Sequence, residues 1–153
     1  MSAIASFIKI PGSSLGRLRE AADGAGDDYN ALLAEGVAVA EYRWSGYVLG
    51  TLLPYLRETH QIDLMHSEHA DLSKLLTETT GATHFILTPA QRAAYLDKLA
   101  PELFSETEMR DYFNDFNETN EQDIGKAMLD GIAAFRQSLS QLDDASIIVF
   151  VIA

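Results

Sequence analysis

The chain has 153 residues, 47% of them apolar, and 23 acidic against 11 basic side chains give it a formal charge of −12. That length fits one domain, residues 1–153, and a chain of this size buries roughly 70% of its unfolded surface without a disulfide or metal staple. It contains no cysteine, which excludes disulfides, thiolate nucleophiles and cysteine-based zinc sites. Its negative field disfavours nucleic acid and anionic membrane surfaces and is compatible with a basic protein partner.

Residues 1–10 are apolar, but they lack a basic lead-in and are interrupted by Lys9. A strand is expected there rather than a secretion signal. Pro11 and Gly12 stop it, and Ser13 or Ser14 can cap a helix over 15–22. Residues 22–28, with two glycines and three aspartates, read as a loop. A short helix over 29–35 should end at Gly36. Residues 37–42 are ambiguous between strand and helix start.

Val48, Leu52 and Leu56 share one face of a helix over 45–58, in which Pro54 predicts a kink or break. The charge-free stretch between Arg43 and Arg57 is shorter than the about 20 residues that span a bilayer. A cytoplasmic bacterial protein is the expectation. Leu72, Leu75 and Leu76 mark a short helix ended by Gly81, and 85–87 looks like a strand end. Thr88, Pro89 and Gln91 form a capping-box helix start, with Leu96 and Leu99 inward. Ser105 and Glu108 repeat the pattern before a helix carrying Met109, Tyr112, Phe113 and Phe116.

The clearest helix carries Ile124, Met128, Ile132, Phe135, Leu139 and Leu142 as a single apolar stripe. After Asp143 and Asp144, residues 146–152 read as a buried strand from their β-branched content. The two most strand-like segments are the two ends of the chain, and runs this apolar want both faces covered. The prediction is an α+β fold, with a small mixed sheet containing both termini and four to six helices packed on it.

Candidate chemistry is sparse. His66 and His69, at i and i+3, can share a helical face and hold a metal, with Glu68 as orienter or base. His60, Asp63 and Asp71 lie nearby in sequence, against the simpler reading of a polar surface segment. The acid-rich run 111–123 fails as a calcium loop: counted from Asp115, Asn120 and Lys126 stand where the turn glycine and bidentate glutamate belong. It reads as a helix–loop–helix corner with solvated acids. Phosphate-binding glycine loops and a Gly-x-Ser-x-Gly elbow are absent from the sequence. Trp44, the one tryptophan, stands among Tyr42, Arg43 and Tyr47, residue types that anchor interfaces. The plainer reading is a core tryptophan. His84 joins Trp44 as a candidate pocket lining.

Four segments together resemble one family. Residues 1–10 are similar to its opening strand, with Phe7 at the centre. Residues 43–49 look like its tryptophan-led helix, and 81–89 like its glycine-to-Thr-Pro helix entry. Residues 134–136 and the strand ending at Ile152 resemble its closing helix and strand. The resemblance is to the YfbM-like bacterial proteins, a family of unknown function. It implies a mixed single domain and supplies no catalytic residues and no cofactor. By analogy with small acidic bacterial proteins, it allows an immunity-like binder of toxins.

The leading functional expectation is therefore a non-enzymatic binder of a basic protein. The alternatives are a small metal-dependent hydrolase using residues 60–71, and a small-ligand binder with Trp44 and His84 in its pocket.

Overall fold

The two ends of the chain lie side by side. In a computed structural model that describes residues 3–24 and 27–153, β1 (Ala5–Pro11) and β4 (Ser146–Ile152) pair antiparallel, from Ala5 opposite Ile152 to Pro11 opposite Ser146. β2 (Val37–Ala40) flanks β1, and β3 (Thr83–Leu87) flanks β4, giving the order β2-β1-β4-β3. Every pairing is antiparallel.

Seven α-helices accompany the sheet among the described residues. They are α1 (Leu15–Gly24), α2 (Asp27–Ala34), α3 (Tyr47–His60), α4 (Ala70–Thr80), α5 (Pro89–Tyr95), α6 (Glu106–Asn117) and α7 (Ile124–Ser140). The fold is α+β with both terminal strands in the sheet, as the sequence predicts. The sheet is antiparallel throughout rather than mixed, and the helices number seven rather than four to six, because every helical segment read along the chain forms its own element. The predicted loop at 22–28 falls partly on residues 25 and 26, outside the described residues. No helix among those described is long and apolar enough to cross a membrane.

All seven residues of β4 are buried, because helices cover both faces of the sheet. Ile147, Val149 and Val151 pack with Leu18 of α1, Leu32 of α2, and Leu72 and Leu76 of α4. Ile148, Phe150 and Ile152 face α3, α6 and the stripe of α7. At the centre of this second layer Phe7 stacks on Phe150 at 4.7 Å between centroids, and Phe135 meets both rings edge-on. Such pairs add about 0.5–1.5 kcal/mol each beyond the area they bury.

Each sheet edge is blunted. On the β3 side, α4 runs alongside the strand: Thr77 Oγ1 accepts the His84 N–H at 3.0 Å and Ser73 Oγ accepts that of Ile86 at 3.1 Å. On the other side, β2 is four residues long and the register slips by one opposite Phe7 and Ile8. Val39 is the extra residue, and its side chain is buried. Short, bulged edges resist pairing with other chains.

Several local signals act as read. Thr88 Oγ1 and the Gln91 side chain form the reciprocal capping box of α5. Gly81 closes α4 with φ 78°, a left-handed conformation that glycine adopts without strain. Pro54 does not act as expected, since α3 runs through it unbroken. The hydrogen bond it forfeits belongs to the carbonyl of Gly50, an exposed residue where water can satisfy it.

Candidate functional site

The crossing from β2 to α3 carries the aromatic cluster. Tyr42 is buried and donates its O–H to the Ala127 carbonyl of α7 at 2.8 Å. Burial first, then the charge of Asp130, holds its phenol above the ordinary range. Trp44 is half-buried, and its Nε1 donates to Asp130 Oδ2 at 2.8 Å. The indole is thus pinned in one orientation against α7. Tyr47, the first residue of α3, is 55% exposed. Arg43 points outward and pairs with Glu41 at 3.6 Å, an exposed contact worth little.

Trp44, Tyr47 and Phe113 of α6 form aromatic walls of a groove of about 610 Å³. The α6–α7 corner contributes Glu121, Asp123 and Ile124 to the same lining. Asn114 fixes that corner: its Nδ2 donates to the Glu121 carbonyl at 3.0 Å and its Oδ1 accepts the Glu121 N–H at 2.9 Å. The same Oδ1 takes the Thr119 hydroxyl. The acids of this corner are exposed, as the sequence reads, and Glu121 and Asp123 line the same groove as Trp44. Composition shows that those acids are abundant; only the Asn114 clamp and the α6–α7 turn bring two of them to Trp44.

Tyr47 is also a wall of a second groove, of about 600 Å³, on the side toward β3. Leu53, Met65, Phe85 and Ile152 give it an apolar lining, and no side chain that lines it is charged.

His84 lies elsewhere. It is buried beneath α2 and α4, on the sheet face opposite Trp44's layer. Its Nδ1 faces the Ala82 carbonyl at 2.8 Å, so Nδ1 carries the hydrogen and Nε2 accepts from the Tyr29 hydroxyl. Burial lowers the His84 pKa and raises that of Tyr29. The structure thus sets Trp44 and Tyr47 in one groove, buries Tyr42 against α7 outside its lining, and places His84 in a different groove, with His66 and Asp71.

The 60–71 segment spreads its polar groups outward. Asp63 Oδ1 accepts the N–H groups of Met65 and His66, and its carboxylate holds the His66 ring at 3.0 Å. The His69 N–H is taken by Ser67, and Glu68 is exposed. Asp71 pairs with Arg19 at 3.2 Å, and that hydrogen bond is the chief reason its pKa is lowered. Among the described residues, no three His, Asp or Glu side chains are grouped where one ion could be held.

His60 turns instead to a network that sequence reading missed. Buried Tyr55 donates to Glu108 Oε1 at 2.6 Å, so His60 Nε2, 2.9 Å from the same phenol oxygen, must donate to it. Beside it Tyr112 donates to Glu58 Oε2 at 2.9 Å, and burial followed by that carboxylate pushes its phenol up to about 12.

These features define an acidic α+β domain whose antiparallel sheet is enclosed by helices, with an aromatic groove walled by carboxylates. Over 98% of this chain and 99% of the other, it is similar to the solved structure of YfbM from Escherichia coli, a protein of unknown function, with 18% sequence identity and a TM-score of 0.46. That match is to the family the sequence segments resemble. No protein-family model matches the chain, and no curated protein sequence does.

Proposed function

We propose that this chain is a non-enzymatic protein-binding domain whose partner presents a basic surface to the groove between Trp44 and the 121–123 wall. The observation that carries the reading is that groove itself, lined by Trp44 and Tyr47 together with Glu121 and Asp123 on a protein of charge −12. Aromatic anchors supply contact area at low entropic cost, while the acidic field speeds encounter with a basic partner and turns away acidic ones. A basic toxin neutralised by this chain is one partner of that kind.

The test uses two baits on extract of the native cell: the wild-type chain, and a variant with Glu121→Gln and Asp123→Asn. The expected outcome is a basic protein retained by the wild type at low salt, released at high salt, and retained poorly by the variant. Equal retention by both baits, or retention indifferent to salt, sinks the reading.

A further inference from the structure

We infer that the partner segment carries an arginine and, within a few residues of it, a bulky apolar side chain, the two straddling Tyr47. The inference deepens the reading above and rests on it.

The two grooves differ in chemistry and share one wall. Trp44 and Tyr47 line the first together with Glu121 and Asp123. A planar guanidinium satisfies both kinds of surface at once, stacking on aromatic faces and forking its N–H groups onto carboxylates. A lysine ammonium meets the charge but not the plane. The indole is already oriented by Asp130, so a stacking cation finds that ring in place. Neither basic residue next to this groove in sequence lines it: Arg43 and Lys126 are both exposed, and the charged side chains of its lining are Glu121 and Asp123.

The second groove favours an apolar group. Leu53, Met65, Phe85 and Ile152 dominate its lining, with Thr80 and Thr83 among its neutral polar members and no charged side chain to pair an incoming cation. It takes an apolar side chain. Tyr47 lines both grooves and is 55% exposed, so a segment crossing the phenol drops one side chain on either side of it. An extended chain advances roughly 3.3 Å per residue, so spacings of about one to three residues cover the width of a single phenol ring.

Trp44 is the single tryptophan, so its emission reports the first groove directly. The probes are capped hexapeptides of Gly and Ser carrying Arg with Leu one, two or three residues away, plus Arg-only and Leu-only controls, titrated at low ionic strength. The expected result is that one Arg–Leu spacing shifts the emission and binds at least tenfold tighter than Arg alone. Met65→Gln should reduce that peptide to the Arg-only level, and Glu121→Gln with Asp123→Asn should weaken every arginine peptide. Arg–Leu peptides that bind no tighter than Arg alone overturn the inference and leave the binding reading standing. If no arginine peptide moves the Trp44 emission, both fall.

Discussion

Glu108 lies three residues after the cap Ser105, yet its carboxylate turns away from its own helix to accept the hydroxyl of Tyr55 on α3 at 2.6 Å. Ser105 still caps the Glu108 N–H at 3.2 Å, so half of the capping box survives and the other half is exchanged for a tether between helices. Tyr112 returns the same kind of bond from α6 to Glu58 on α3. The two tethers differ in burial: Tyr55 is 1% exposed, while Tyr112 is half-buried at the surface.

That difference orders two substitutions. Tyr55→Phe removes a buried hydroxyl that serves both Glu108 and His60, and should cost about 1–2 kcal/mol. Tyr112→Phe, whose partner can turn to water, should cost less than about 1 kcal/mol. Urea unfolding of both variants decides the order, and a Tyr55→Phe/Glu108→Gln double-mutant cycle should show coupling between the two positions. Equal losses for the two tyrosines would refute the account of the network.

Glycines on two helices predict opposite responses to alanine. At Gly50 in α3, an added Cβ meets nothing within 4 Å. Gly50→Ala should stabilise by roughly 0.5–1 kcal/mol through helix propensity, raising Tm by roughly 1–4 °C. At Gly125 in α7, the Cβ would lie 2.3 Å from the backbone carbonyl oxygen of Glu106. Because backbone cannot turn aside as a side chain can, Gly125→Ala must push the start of α6 away, at a cost of about 1–3 kcal/mol. Thermal unfolding of the pair is the measurement, and a destabilised Gly50→Ala contradicts the helix geometry described.

The sequence showed most plainly what repetition of a single environment makes visible. Ile124, Met128, Ile132, Phe135 and Leu139 all face one core, so their spacing exposed α7. β4 read as strand because both its faces meet apolar helices. Val37–Ala40 did not, since only Val39 is buried and it is the bulged residue. Pro54 predicted a break because sequence does not show that Gly50's carbonyl is free to meet water. Trp44 and Tyr47 were legible as aromatics, but their acidic counterwall was not. Glu121 and Asp123 reach them only through the α6–α7 turn that Asn114 holds, a tertiary arrangement with no local signature.

Ser73 and Thr77 make a prediction about the sheet edge. Each hydroxyl accepts an outward N–H of β3, and Ser73 also donates to the His69 carbonyl. Ser73→Ala leaves the buried N–H of Ile86 without an acceptor, a loss of about 1–3 kcal/mol. Thr77→Val does the same to His84. Amide hydrogen exchange should show Ile86 losing protection in the first variant and His84 in the second, with β1 unaffected by local opening. An edge stripped of its partner is also a template for pairing, so both variants should self-associate more readily than the wild type. Unchanged exchange at Ile86 in Ser73→Ala would mean that water or α4 backbone replaces the hydroxyl without loss.

His84 sets the pH response of the same region. Its pKa in the folded protein lies below the ordinary 6.5, chiefly through burial, with the Ala82 carbonyl opposing. The unfolded chain therefore takes up a proton near pH 6.5 that the folded chain still refuses. His84's contribution to stability is fully present above that pH, and falls as the pH drops toward the folded pKa, by up to about 1.4 kcal/mol per unit. Tyr29, whose hydroxyl the neutral Nε2 accepts, must also reorient its hydrogen once His84 is charged. Asp71 and Asp143 have lowered pKa values and act only at more acidic pH, and His60, His66 and His69 are common to the wild type and a His84 variant, so the difference between two pH profiles isolates His84. His84→Gln removes the titration. Its stability, whatever its absolute value, should vary less between pH 7 and 5 than that of the wild type. Parallel pH profiles for the two proteins would show that protonation of His84 is not what weakens the fold.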